Sequence, residues 1–232
     1  MSTLRLRLAG PLQAWGAHSR FVRRATEQEP TKSGVIGMLA AARGLRRTDA
    51  LTEFFGLRFG VRADQPGRLV RDFQTARSLD GARPLPLSYR YYLADAVFVA
   101  VIEGDDELLR GLDNAVRNPY YPLYLGRRSC PPVGPVSLGV HEGTLAKALS
   151  QTEWQASPWH QRKLNATTVS LAVISDAQPG EPGAETIRDE PISFDPQRRE
   201  YGWRTVVRSR VEVRNRYLAG VPDHEPLAAL GG

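Results

Sequence analysis

The chain has 232 residues, 41% hydrophobic and 24% charged, enough to bury the core of one large domain or of one domain with a small appendage. Cys130 is the sole cysteine, which excludes an internal disulfide and a cysteine-based zinc site and points to a reducing, cytoplasmic setting. The net charge of +6 is uneven: residues 1–47 hold nine basic residues against Glu27 and Glu29, and the rest sum to −1, a footprint that fits a polyphosphate partner as well as a solvated basic face.

The alternation Leu4-Arg5-Leu6-Arg7-Leu8 predicts a half-buried strand that ends at Gly10-Pro11. Its arginines, inside the first apolar stretch, are unlike a signal peptide, and no apolar run in the chain nears the roughly 18 residues of a membrane span, so no membrane association is expected. Residues 17–32 are polar and basic without periodicity and read as a loop. Thr31 or Ser33 can cap a following helix over Val35 to Leu45. Phe54–Val61 reads as a second strand, and 64–88, rich in Gly, Pro and Arg, as an exposed excursion.

Asp95–Ile102 (DAVFVAVI) is the strongest strand signal, and Glu107–Val116 places Leu108, Leu109, Leu112 and Val116 on one helical face. The turn-rich segment Asn118–Pro135 leads into a short strand, Val136–Val140. The order β-α-β-β-α-β predicts an α+β chain with a ferredoxin-like or RNA-recognition-motif palm over 1–150. The connection between its second and third strands is long enough to be functional. Residues 151–217 read as a β-rich C-terminal subdomain, with strands at Thr167–Ile174 and Trp203–Val213 around a loop at 176–185, and 218–232 as a disordered tail.

The candidate site centres on the loop Leu125–Pro132 and the tyrosines before it. Gly126 permits close backbone approach, Arg127 and Arg128 can reach phosphates, and Tyr120, Tyr121 and Tyr124 offer stacking surface, a mixture suited to single-stranded RNA. Cys130 reads as a small packed residue rather than a nucleophile. Ser88-Tyr89-Arg90-Tyr91-Tyr92 can wedge between bases, cover a partner protein or form an ordinary edge strand. Trp15 can stack on a base or enter the core. Lys32 with Ser33 at a helix start resembles an anion site but lacks the spacing of a P-loop. Among the four histidines only His18, in the basic segment with Arg23 and Arg24, is a plausible general base, and none sits at metal-ligand spacing; the acids of Arg188-Asp189-Glu190-Pro191 point to opposite faces of a strand. No metal or other cofactor is expected. Arginine outnumbers lysine 28 to 3, which suits RNA contact and also follows from GC-rich coding.

Four segments occur in an order that resembles the CasD subunit family of the type I-E CRISPR surveillance complex, Cascade. They are Arg7–Gly16 (RLAGPLQAWG), Pro30–Gly34 (PTKSG), Tyr124–Pro131 (YLGRRSCP) and Arg188–Pro191 (RDEP), and the likeness runs from about residue 4 to 205. The resemblance implies a ferredoxin-like palm with a long β-hairpin thumb near 70–95. It implies a non-catalytic subunit that caps the 5′ repeat-derived handle of the guide RNA and meets the backbone subunits and the large PAM-reading subunit, with target DNA a further contact. Carried over residue by residue, Gln13, Trp15, Lys32, Arg90, Arg127, Arg128 and Ser129 are the implied RNA contacts. Arg23, Arg24, Ser33, Tyr89, Tyr124, Gly126 and Cys130 complete the expected site. Relatives in another CRISPR subtype are metal-independent endoribonucleases with a Tyr-Lys-His set, and this chain has three lysines and no Lys–His pair.

Overall fold

A computed structural model describes residues 1–16 and 23–217. Mixed α/β and dominated by sheet, it has eleven strands in the order β1 Ser2–Ala9, β2 Leu12–Gln13, β3 Arg23–Arg24, β4 Arg58–Gln65, β5 Arg68–Gln74, β6 Ser88–Ala94, β7 Val97–Gly104, β8 Ser137–Glu142, β9 Thr168–Asp176, β10 Glu185–Ser193 and β11 Glu200–Arg214. The helices are α1 Lys32–Ala42, α2 Asp106–Arg117, α3 Leu145–Gln151 and α4 Pro158–Lys163.

Seven strands form one antiparallel sheet in the order β10-β11-β9-β4-β7-β1-β8. The segment 151–217 therefore does not fold back on itself as a separate sheet. Its strands extend the one begun by the N-terminal half, through the β4–β9 pairing. The expected tail 218–232 and His18 lie outside the described residues.

Strand patterning explains the centre of the sheet. Leu4, Leu6 and Leu8 of β1 are fully buried, with the intervening arginines on the other face. β7 is apolar from Val97 to Ile102 because both its faces are covered: Phe98, Ala100 and Ile102 join the core beneath α1 and α2, and Val99 and Val101 pack against α3. Asp105 caps α2, accepting from the Leu108 N–H at 3.1 Å, and the helix inserts Leu109, Leu112 and Val116.

The face carrying α3 contains a buried arginine. Every guanidinium N–H of Arg62 on β4 has a partner: two go to Asp64 at 2.6 and 2.9 Å, and the others to the carbonyls of Leu149, Thr152 and Glu153. The positive charge thus closes the C-terminal end of α3, where helix carbonyls lack partners. Asp64 also accepts from the Gln155 N–H at 2.6 Å, so one ion pair fixes the chain leaving α3 against the end of β4.

A second, smaller sheet projects from this end. β5 and β6 form an antiparallel hairpin that extends beyond its strands to a tight tip, where Gly81 has φ +73° and its N–H bonds the Ser78 carbonyl. β2 and β3 pair with β6 on its other side. The excursion between β4 and β7 therefore carries paired strands at 68–74 and 88–94, with residues 75–87 forming the connection around the tip. Leu69, Phe73, Leu79 and Leu85 on it face solvent.

Removing the counter-charge of Arg62 while keeping its shape tests the ion pair. Asp64→Asn is expected to lower unfolding free energy by about 3–5 kcal/mol, read from urea denaturation, because it leaves a buried guanidinium without a carboxylate.

Candidate nucleic-acid interface

The loop Leu125–Pro132 is pinned from both ends. Leu125 N–H donates to the Cys130 carbonyl at 2.7 Å, and Cys130 N–H donates to the Arg127 carbonyl at 2.9 Å. Leu125 and Cys130 are buried in the main core. The loop lies against the segment after β1: Ala14 N–H donates to the Leu125 carbonyl, and Val133 N–H to the Ala9 carbonyl. Gly126 has φ +86°, and a Cβ there would stand 1.7 Å from the Ala14 carbonyl oxygen, so no other residue fits without moving one backbone off the other.

The two arginines of this loop part ways. Arg127 turns inward and donates to the carbonyls of Tyr91, Arg24 and Ala25 at 3.0–3.1 Å, with its guanidinium 4.7 Å above the Tyr92 ring. It clamps the loop to the root of the hairpin and to β3. Arg128 and Ser129 face solvent. Of the two arginines expected to reach phosphate, Arg127 is bonded to carbonyl oxygens of the chain and positions its neighbours, and Arg128 alone is left open.

Gln13 and Trp15 are also structural. Both are fully buried. The Gln13 amide donates to the Leu8 and Ala96 carbonyls, and its oxygen accepts from Trp15 Nε1 at 3.0 Å. Trp15 packs under α1, where a Cβ on Gly34 would lie 2.9 Å from the indole. Neither side chain is open to a ligand, so they form the floor of the site, in place of the expected RNA contacts. Cys130 is fully buried too; burial pushes its thiol pKa up, against the bond to Ser129 and the nearby Arg127 charge, so it stays a packed thiol. Tyr124 is half-buried beside the loop.

The helix start at Lys32 is occupied by the chain itself. Thr31 caps α1 by accepting from Gly34 N–H, and Ser33, half-buried, bonds to Thr31. The Lys32 backbone N–H donates to Asp189 at 2.8 Å, so a carboxylate already fills the anion position. The Lys32 ammonium is buried and lies 2.7 Å from Glu190 and 3.4 Å from Asp176. Arg204 completes the cluster by pairing with Asp189 and Asp176. Burial alone would lower the Arg204 pKa, but its bonds to Asp189 and Asp176 outweigh that and raise it. The RDEP segment thus acts as a lock on the start of α1, with the expected ligand contact Lys32 held by carboxylates of the chain itself. Among the described residues no group of three or more His, Cys, Asp or Glu stands ready to hold a metal.

What remains at the surface is a cationic and aromatic cluster around the hairpin root. Register places Leu69, Arg71, Phe73, Tyr89, Tyr91 and Leu93 on one face of the β5–β6 pair, with Arg23 joining through its pairing with Tyr89. On this face Arg23 stacks over Tyr91 at 5.2 Å and Arg71 over Tyr89 at 5.4 Å, while Phe73 is 65% exposed. Arg24 is exposed beside Arg90, whose Nε is shielded from solvent and makes no hydrogen bond among the described residues. Arg71 and Phe73 were not among the sequence candidates. Only the strand register, absent from local pattern, aligns them with Tyr89 and Tyr91.

The division between Arg127 and Arg128 is testable on the free chain. Gly126→Ala and Arg127→Ala are each expected to lower the thermal midpoint, with Arg127→Ala costing about 1–3 kcal/mol of stability through its lost carbonyl bonds. Arg128→Ala is expected to leave the melting curve unchanged.

Residues 3–207 match the family model described as CRISPR-associated protein (Cas_Cas5). The CRISPR system Cascade subunit CasD of Escherichia coli (strain K12) is 34% identical, over 82% of this chain and 89% of that protein. A chain of a structure titled "CRISPR RNA-guided surveillance complex" superposes with a TM-score of 0.74 at 32% identity, covering 91% of each chain. A second, titled "Crystal structure of Cas protein", gives 0.70 at 35% identity, with 92% of this chain and 95% of that one covered. With its β5–β6 hairpin and its loop Leu125–Pro132 inside the matched span, the chain belongs to the Cas5 family of CRISPR-associated proteins.

Proposed function

We propose that this chain is a non-catalytic subunit of a CRISPR RNA-guided surveillance complex that holds the 5′ repeat-derived handle of the guide RNA and joins the backbone subunits to the large PAM-reading subunit. The observation that carries the reading is the gathering of cations and rings at the hairpin root, with exposed Arg23 and Arg71 beside half-buried Tyr89 and Tyr91 on one face of the β5–β6 pair and exposed Arg24 on the other, next to the loop that carries Arg128, all on a floor rigidified by Arg127, Gln13 and Trp15. Stacked rings alternating with guanidinium groups suit splayed bases and a phosphate backbone. The neighbouring order β4-β7-β1-β8, with α1 and α2 on one face, supports a ferredoxin-like palm, and the projecting β5–β6 hairpin supports a thumb.

A metal-independent ribonuclease reading pairs His18 with Lys32 or with a tyrosine. Lys32 is sealed between Glu190 and Asp176, which leaves it poorly placed for proton transfer to a substrate. The apolar residues near the hairpin tip, Leu79 and Leu85, are offered to neighbouring protein subunits, where their exposure is relieved on assembly.

Two outcomes test the reading. With the chain assembled in its complex, Arg23→Ala/Arg24→Ala/Arg128→Ala is expected to weaken retention of repeat-handle RNA and to flatten the slope of log K against log salt by about 2, the loss of three phosphate contacts on a single strand. Handle RNA retained as in wild type sinks it, as does specific cleavage of the repeat by the purified chain in EDTA. Leu79→Asp/Leu85→Asp is expected to leave the melting curve in place and to reduce incorporation into the complex, read by size-exclusion chromatography.

A further inference from the structure

Helix α4 is oriented against the usual rule. Its buried residue is polar Gln161, whose amide donates to the carbonyls of Trp154 and Ala156 and whose backbone carbonyl accepts from Asn215. Trp159 is 51% exposed on the other side. Arg162 and Lys163 stand three and four residues after it, on the same helical face. Tyr217, 44% exposed, lies under Arg162, whose guanidinium is 5.1 Å from its ring. The nearby acid Glu153 is already paired with Arg216 at 2.7 Å. The helix shows solvent an indole and two cations that no carboxylate neutralises in any ion pair among the described residues, and it does so by bonding a glutamine inward.

The patch is anchored as firmly as the first site. Trp154 Nε1 donates to the Asp64 carbonyl at 2.7 Å, and Ser157 N–H to the Gln65 side chain at 3.0 Å, which ties α4 to the end of β4 from which the hairpin springs. It nevertheless lies on the opposite face of the main sheet. Trp154 packs with Val169 and Leu171 on the side that carries α3, whereas the loop Leu125–Pro132 is rooted in the core beneath α1 and α2.

We infer that Trp159, Arg162, Lys163 and Tyr217 form a second contact surface for single-stranded nucleic acid, bound through stacking and phosphate charge without base readout. A solvent-facing indole, one helical turn from an arginine that stacks on a second exposed ring, offers a stacking plane to a base, and the unneutralised cations favour a polyanion over an ordinary protein face. The inference does not rest on the handle reading, because none of these residues belongs to the first site.

The test is fluorescence anisotropy of the full-length chain with labelled dT20 and rU20, in a background carrying Arg23→Ala/Arg24→Ala/Arg128→Ala to remove the first site. Oligonucleotide binding is expected to persist in that background. Adding Arg162→Ala/Lys163→Ala is expected to flatten the log K–log salt slope by about 1.4, two phosphate contacts on a single strand. Adding Trp159→Ala is expected to weaken binding about tenfold, and Trp159→Phe to restore most of it. A stronger rU20 arm assigns the surface to an RNA strand and a stronger dT20 arm to a DNA strand; either sustains the inference. It is overturned if the background binds neither oligonucleotide, or if the α4 substitutions leave affinity and slope unchanged in a folded chain. It is overturned in favour of a protein contact if they spare oligonucleotide binding yet block entry into the complex. Failure of the handle reading would appear separately, as handle RNA retained by the triple variant alone.

Discussion

The architecture of the candidate site depends on a single close approach of two backbones, Gly126 against the Ala14 carbonyl. That approach brings the loop Leu125–Pro132 down onto the segment leaving β1, buries Leu125 and Cys130, and sets the direction of the next two side chains. Arg127 then turns toward the hairpin root and donates to the carbonyls of Tyr91, Arg24 and Ala25, while Arg128 is left outward. Two adjacent and chemically identical residues acquire different work because one lies over Tyr92 and the other over water. The same logic governs Gln13 and Trp15, which hold each other and the β1–β7 junction and thereby keep the hairpin from swinging on its root.

Charge is used in two ways in this chain. Inside, it locks elements: Arg62 with Asp64 closes α3, and Lys32 and Arg204 with Asp176, Asp189 and Glu190 tie the start of α1 to the C-terminal strands. Outside, at the hairpin root and along α4, arginines lie against rings rather than acids. The basic excess of residues 1–47 therefore overstates the cationic surface. Lys32 is neutralised and Arg43 pairs with Glu53. Arg5 and Arg7, on the strand face, have pKa values pushed down chiefly by burial. Among the described residues Arg23, Arg24, Arg46 and Arg47 are the exposed, unbridged cations of that segment, and Arg23 and Arg24 are the two at the hairpin root.

The sequence made legible whatever local period controls. LRLRL, DAVFVAVI and the α2 stripe gave β1, β7 and α2 because burial on one face or both leaves its own pattern. Of β10 only the RDEP segment reads as strand: Pro191 and the charges obscure the pattern over the rest, yet an edge strand tolerates a proline and this one places Asp189 and Glu190 in ion pairs. α3 and α4 are too short to show a period, and α4 inverts the rule by hiding Gln161 and showing Trp159. Around the loop, composition singled out an arginine pair but could not separate Arg127 from Arg128, nor show that Lys32 meets carboxylates 144 to 158 residues away. Those distinctions are set by tertiary register, which no window of sequence contains.

The central claim is that the handle lies across the hairpin root and the outer side of the loop, on a floor that does not itself touch RNA. Ultraviolet cross-linking of the assembled complex, followed by mass spectrometry of the protein–RNA adducts, addresses it most directly. Handle nucleotides are expected to attach at Tyr89, Tyr91, Phe73 and the residues flanking Arg128, with none at Trp15. Adducts at Trp15, or handle adducts confined to surfaces remote from the hairpin root, would contradict it.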